Sequence, residues 1–599
     1  MIRHIAPISL ALLTLALTAL VFALPTPANT AQPETTSGTL IKNIRVIEEG
    51  GKLSDPISIL INNGTIESIG TLQNLAANTI IDGTGLTALP GLIDSHTHTY
   101  GTAQEDAARF GVTTLLDMFT DPRILEDTLP ARRANSNTQK ADLFSAGMLA
   151  TAPGGHGTQF GVNIETLTAP DQAKDWVAAR KAEGSDYIKL VYMPGLPSLP
   201  SISREIAKAV IEAGHAEGLM VVAHISTYEA ATDMIEDGID GLVHIFADRP
   251  ADDAILKAAK ANNIFIVPTL AVIASVDADS SIAELGAQQA RFLSPMQTQT
   301  STARFGEARS GFALEVALKN VEAFYKAGVP ILAGSDAPNP GTAHGLSLHH
   351  EMLLLTRAGL SPAEALSAAT SLPAEIFGLN KRGKLETGAR ADLLLIKGNP
   401  LETIDATLDI THIIKNGYIL DRNIAETRAG EVVSGDILGD FETGITSLEG
   451  LSWTETTDAV AGGASTARLS RIEGGAQGSA YALKIDASVK RGFLFPWAGT
   501  SIGLSQTSST GPIDISGYAK VSFDMKATPG TYRIMGFSAG AQGIPPTQTV
   551  ESTADWQTFT LEIADFTGLQ ADNLFALAFV AGLDLGDSTI YIDNVKLIK

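Results

Sequence analysis

Between residues 92 and 335 the chain repeats one unit, a short apolar segment of strand character followed by an Ala-rich stretch of helical periodicity. The strand candidates are 92–95, 112–118, 143–149, 187–192, 220–225, 241–245, 264–268 and 329–335, and helices are expected between them over 170–183, 203–217 and 251–261. Strands joined through helices run parallel, because an antiparallel pair needs only a tight turn whereas a parallel pair needs a crossover. Eight such units predict an α/β fold, a (β/α)8 TIM barrel over residues 92–380. The polar segment 274–309 is too long for an ordinary connection and is expected to form a lid or a helical insertion.

The flanks have a different period. Segments 40–47, 57–61 and 65–69 are β-branched and broken by Gly50-Gly51 and Asn62-Asn63-Gly64, so they are expected to be hairpin-linked strands. Ser361-Pro362-Ala363-Glu364 opens a helix running toward Thr370, and β character returns at 390–396, 410–414 and 418–420. A small composite β-sandwich of residues 38–91 and 381–430 is therefore expected, with the barrel inserted in it. Beyond 431 helical periodicity stops. Alternating segments at 481–485, 520–525, 558–563 and 589–597 predict an all-β jelly roll over 435–599.

At the N-terminus Arg3 and His4 precede an apolar run, 5–24, and then small residues as far as Ala31. This is the layout of a secretory signal peptide, 1–31, cleaved after Ala28 or Ala31, which places the protein in the periplasm or outside the cell; a retained membrane anchor is the alternative. The chain has no cysteine, which excludes disulfides and thiolate ligands. With 66 acidic against 42 basic side chains the formal net charge is −24, which opposes binding to nucleic acid.

In a barrel the C-terminal ends of the strands converge on one mouth. His96 and His98, two residues apart at the end of the first strand, leave one face together. Lys189 lies on the fourth strand, His224 ends the fifth, His244 ends the sixth and Asp336 follows the eighth. Six candidate ligands at one rim predict a site for one or two divalent metal ions, zinc first, with Mn, Co or Fe as alternatives. His156, Tyr192 and Tyr228 are candidates for binding substrate, as are Arg291, Arg304 and Arg309 of the long segment; ordinary packing or solvation is the plainer role for each. His349-His350-Glu351, opening a helix after the last strand, is expected to be structural.

The same residues carry a resemblance. The run 89–98, Leu-Pro-Gly-Leu-Ile-Asp-Ser-His-Thr-His, together with Val221-Val222-Ala223-His224, Gly241-Leu242-Val243-His244, Ala333-Gly334-Ser335-Asp336 and Gly388-Ala389-Arg390-Ala391-Asp392-Leu393, resembles the amidohydrolase superfamily over residues 38–430. Its imidazolonepropionase-like and Xaa-Pro dipeptidase-like branches are the most similar, because Pro153-Gly154-Gly155-His156-Gly157 resembles the glycine-rich loop after strand three in the dipeptidase branch. The resemblance implies that His96, His98 and Asp336 hold one metal, that His224 and His244 hold the other, and that Lys189, carboxylated by CO2, bridges them. An unmodified lysine beside a single metal, as in imidazolonepropionase relatives, is the alternative. One departure is the tyrosine that follows the strand-five histidine, delayed here to Tyr228, which weakens transfer of dipeptide specificity. At the other end, Asp440-Phe441-Glu442, Asp555-Trp556-Gln557-Thr558-Phe559 and Tyr591-Ile592-Asp593-Asn594-Val595 resemble the galactose-binding-like jelly rolls of the NADH:ubiquinone oxidoreductase intermediate-associated family. That implies a carbohydrate ligand, with Trp453, Trp497 and Trp556 as candidate stacking surfaces.

The expected activity is hydrolysis of a C–N bond in an amide, peptide-like or cyclic-amide substrate by a metal-bound hydroxide, with Asp336 moving the proton, and a dipeptidase is one such activity. Lactone or ester hydrolysis at the same site, and a non-catalytic glycan-binding envelope protein, are the alternatives. A homo-oligomer is compatible with all three.

Overall fold

The computed structural model describes residues 34–599 except 49–50, 73–74, 101, 121, 123–124, 126–128, 133, 159–163, 196–198, 278–280, 305–313, 424–436, 443, 446–452, 459–463, 492–495, 504–514, 539–544 and 573. The expected signal peptide lies outside the described residues. Among them no helix is long and apolar enough to cross a membrane.

The centre is a curled array of parallel strands. One sheet contains β1 (Leu92–Thr97), β2 (Val112–Asp117) and β3 (Asp142–Ser145); a second contains β4 (Ile188–Val191), β5 (Val221–His224), β6 (Gly241–Val243) and β7 (Phe265–Val267). Ala150 joins the two sheets, giving its N–H to Lys189 and accepting that of Val191. The eighth expected strand, 329–335, is not a continuous strand. Its segment makes single parallel bridges through Ile331 to Ile266 and through Ala337 to Thr97, so it bonds to β7 on one side and to β1 on the other.

Strands covered on both faces read as continuous apolar runs. Along β4 the side chains of Ile188 and Leu190 pack outward into the layer shared with the helices, whereas Tyr187 faces the interior with Val222, Val243, Phe265, Val267 and Leu332. Lys189 has the parity of Tyr187, and His224 that of Val222, so both reach the interior through an apolar wall.

The outer helices are α1 (Ala103–Ala108), α2 (Ala173–Glu183), α3 (Arg204–Ala216), α4 (Tyr228–Glu236), α5 (Asp253–Ala261), α6 (Leu270–Val276), α7 (Ser281–Gln289), α8 (Pro295–Thr302), α9 (Leu314–Lys326), α10 (Leu346–Arg357), α11 (Pro362–Ala368) and α12 (Ser371–Ile376). Helices α3, α4 and α5 start on Ser203, Thr227 and Asp252, whose side chains accept the N–H groups of Ile206, Ala230 and Ile255. Of the expected insertion, the described part is helical and fixed. Buried Gln297 on α8 donates to the carbonyl of His344 at 2.7 Å, and Ser294 donates to Asp106 at 3.0 Å, which ties α8 to both ends of the strand array.

Outside the array the flanking strands join in one nine-stranded sheet, whose Ile41, Ile59, Ile61 and Ile66 share a core with Ala88, Leu393, Leu395 and Ile414. Strand Glu34–Glu48 runs through it with a register shift between Ile41 and Ile44, where Asn43 is left-handed (φ 56°), and strands Leu393–Lys397 and Ile410–Lys415 return to the same sheet. Wholly buried Lys415 joins sheet to array, bonding Asp392 at 3.0 Å and Asp142 of β3 at 3.1 Å, and Arg382 also meets Asp142 at 2.7 Å.

From Ile437 the chain forms two antiparallel sheets, of six and five strands, around a common core that includes Leu483, Ile485, Phe523, Ile534, Phe579 and Ile592. Trp453 belongs to that core. It is 2% exposed, sits 5.4 Å from Phe441 and 5.6 Å from Phe579 between ring centroids, and donates to the carbonyl of Leu438, so it is no stacking surface for a ligand. Trp497 and Trp556 are half-buried, the latter beneath the Lys526 ammonium. Trp453→Ala removes a large buried aromatic and a hydrogen bond, and urea unfolding should record a loss of about 3–5 kcal/mol in this segment.

Candidate metal centre

The site begins with a buried carboxylate. Asp94, wholly buried on β1, accepts the N–H groups of His96 (3.2 Å) and Ser335 (2.9 Å) and the Ser335 hydroxyl (2.6 Å), while Ser335 Oγ accepts the N–H of Ala337. The last segment is thus pinned to the first strand on either side of Asp336. Backbone bonds Ser95 to Ala333 and Asp336 to His96 continue the pairing. Gly334 is obligatory here, since a Cβ would lie 2.4 Å from Val267 Cγ1 and 2.9 Å from His96 Cβ.

Around that clamp the expected ligands come together. Asp336 Oδ1 lies 3.2 Å from His96 Nε2 and 3.0 Å from His98 Nε2, and Oδ2 lies 3.9 Å from His244 Nδ1. His244 Nε2 is 2.9 Å from His224 Nδ1, and one donor atom each from His96, His244 and Asp336 fit within 4.8 Å of one another. Burial holds His96 and His224 well below the ordinary histidine range and His244 down to about 3, so these imidazoles are neutral and keep a lone pair. Burial pushes the Asp336 carboxyl up, but the His98 contact and the charges of His244, His98 and Lys189 outweigh it and hold the group below its usual value.

Lys189 is 2% exposed, and burial pulls its ammonium down to about 7 against the opposing charges of Asp336 and Asp117. Of the charged groups around His96, Lys189 acts on it most strongly. His156 enters from the glycine-rich loop with its ring centroid 5.0 Å from that of His224. The loop needs Gly155, where a Cβ would meet Thr151 Oγ1 at 2.5 Å and the carbonyl of Pro200 at 2.6 Å.

Three site positions have a positive φ that L-residues rarely adopt: His244 (109°), Thr269 (51°) and Asp336 (53°). Strain of this kind is retained where the surroundings over-determine it, and it gathers at functional sites. The donor set fits a divalent cation. Both ring nitrogens of buried His96 lack a hydrogen bond, and two neutral imidazole nitrogens stand 2.9 Å apart where a shared ion would satisfy both.

Other candidates lie elsewhere. The Tyr192 hydroxyl donates to Asp233 at 2.7 Å and that of Tyr228 to Asp252 at 2.9 Å, contacts of the packing kind weighed beside substrate binding for both. Arg291 stacks on Phe292, Arg304 is exposed just beyond α8, and Arg309 lies outside the described residues. His349 bonds Thr407 and the carbonyl of Phe110, and His350 bonds Ser281, which are structural contacts. Sequence reasoning missed Asp94, Asp117 and Thr269. Asp94 sat inside the run that drew attention to His96, and its two-residue offset was the available signal; Thr269 carried none.

Residues 87–420 match the model of the amidohydrolase family. An imidazolonepropionase of Brevibacillus brevis is 25% identical over 437 residues, covering 65% of this chain and 94% of that protein. An uncharacterized Mycobacterium tuberculosis protein is 27% identical over 345 residues, 55% of this chain and 84% of that one. Among solved structures, a Xaa-Pro dipeptidase with methionine in its active site superposes with a TM-score of 0.51 at 22% identity, covering 64% of this chain and 99% of the other, and so shares the mixed α/β fold.

Because His349 is buried and neutral, burial lowers it from 6.5 to about 4. The unfolded chain then takes up the proton first, so this contribution to stability is complete above pH 6.5 and is lost as pH falls toward 4. Up to about 3 kcal/mol is at stake. Denaturation across that window should show the loss, and His349→Gln should flatten it.

Proposed function

The chain belongs to the amidohydrolase family, and we propose that it is a metal-dependent hydrolase of C–N bonds in peptide-like or cyclic-amide substrates, centred on His96, His98, Lys189, His224, His244 and Asp336. The observation that carries the reading is the pair of unbonded nitrogens on fully buried His96 beside Asp336, His98 and His244. A buried polar atom left without a partner is costly unless something else satisfies it. The names of an imidazolonepropionase and a Xaa-Pro dipeptidase among the similar proteins support the bond type.

A bound divalent ion supplies a Lewis acid and lowers the pKa of the water it holds. Zinc is the first choice for this imidazole and carboxylate set, with Mn, Co or Fe as alternatives. The chain's own residues do the rest. Asp336, between His96 and His98, accepts the proton of the attacking water at its carboxylate and delivers it to the departing nitrogen. Lys189, its ammonium drawn down to about 7, would add as the free amine to the carbon of CO2 and lose a proton, giving an anionic carbamate that would serve as a metal ligand where a cation would be repelled. His156, beside His224, contacts substrate from the glycine-rich loop.

Three wider readings accompany this one. The seven parallel strands of the two sheets, with the bridged segment 330–337 in the place of an eighth, support a closed (β/α)8 barrel inserted between residues 38–91 and 381–430. Residues 435–599 form a galactose-binding-like module with a carbohydrate ligand. Residues 1–31 export the protein to the periplasm or beyond.

Asp336→Asn should leave the thermal unfolding curve intact and lower kcat at least 100-fold, in keeping with the roughly 10²–10⁴-fold effect of a positioned acid–base group. Near-wild-type turnover rules out the role. Elemental analysis of wild type reconstituted with zinc and bicarbonate should give two ions per chain, and Lys189→Ala fewer; one tightly held ion unaffected by the substitution rules out the bridged centre.

A further inference from the structure

Thr269 stands immediately before α6, where a threonine side chain ordinarily accepts one of the first free N–H groups of the helix. It makes no such bond. Its backbone is left-handed, at φ 51° and ψ 47°, and Oγ1 lies 2.6 Å from His244 Nδ1 instead. The N–H groups it leaves are taken up by another helix. Glu351 of α10, wholly buried, accepts from Leu270 at 3.0 Å with Oε1 and from Ala271 at 2.7 Å with Oε2.

We propose that Glu351 is a positioning residue for His244: by capping α6 from outside, it frees the Thr269 hydroxyl to hold the His244 imidazole. This rests on the metal reading in taking His244 as a ligand. Thr269 Oγ1 accepts from Nδ1–H, which fixes the tautomer whose Nε2 lone pair faces His224 Nδ1 at 2.9 Å. The energetics point the same way. Glu351 makes no ion pair among the described residues, and burial pushes its carboxyl up to about 8 although the N–H groups of Leu270 and Ala271 pull it down, a larger cost than a cap on a seven-residue helix returns. Stability alone does not account for a carboxyl group there. Its consequence is geometric, because it satisfies the first two N–H groups of α6 where the left-handed Thr269 turns its hydroxyl to His244 instead.

The test is zinc titration of the apoprotein against a chelator, with the visible spectrum of the cobalt-loaded protein as a second readout. Glu351→Gln keeps the size but turns an amide N–H₂ toward one of the two helix N–H groups, and Thr269→Val removes only the hydroxyl. Each should weaken zinc binding roughly 10- to 100-fold and shift the cobalt bands, as loss of a group that orients a ligand does. The double variant should bind within about twofold of the weaker single variant, since both act through one hydrogen bond. Wild-type affinity and spectrum in folded Glu351→Gln, or losses that multiply in the double variant, overturn the proposal. Should Glu351→Gln fail to fold, Glu351→Asp takes its place, with a smaller loss expected and none overturning it. Failure of the metal reading is distinguishable, because wild type would then bind no zinc.

Discussion

The carboxylate of Asp94 is the interaction on which the site depends. Its three hydrogen bonds, to the backbone of His96 and to the backbone and hydroxyl of Ser335, join the first strand of the array to its last segment where the two must meet. Burial pushes this carboxyl up to about 7, and the Ser335 and His96 bonds offset part of that cost. The segment it holds is too irregular to pair as a full strand. The clamp and the backbone bonds beside it, from the Asp336 N–H to the His96 carbonyl and from the His98 N–H to that of Ala337, hold Asp336 within 3.2 Å of His96.

Polarity in the interior is confined to one end. The strands also contribute Ile93, Leu116, Val222, Val243 and Val267, buried together as an apolar plug in the interior of the array. Desolvation is thus the first cause of every shift among His96, His156, Lys189, His224 and His244. Neutral imidazoles, and a Lys189 ammonium drawn down to about 7, follow from that burial.

The rest of the chain supports that end without entering it. Helix α8 fixes the loop carrying His344, whose ring reaches the carbonyl of His98 at 3.1 Å, so the long segment acts as a wall beside the site. The outer sheet is fastened through Lys415 and Asp142, an ion pair at the base of β3 that is strong only because both partners are present. The C-terminal sheets have their own core, and Trp453 serves that core.

By itself the sequence determined the α/β alternation, because a strand buried on both faces is a short apolar run and a covering helix has its own period. It also determined the set His96, His98, Lys189, His224, His244 and Asp336, because strand ends in a parallel array share one rim whatever the details of packing. Tertiary structure alone decided the rest. That Tyr192 and Tyr228 turn their hydroxyls to Asp233 and Asp252 depends on neighbouring helices that no local pattern encodes. The single sheet through Glu34–Glu48 depends on a register shift at Asn43. Glu351 reaches α6 across some eighty residues of chain, and Asp94 reaches Ser335 across 241. Periodicity reports which face of an element is buried; which polar group finds which partner in that buried space is set by contacts distant in sequence, and those exist only once the chain has folded.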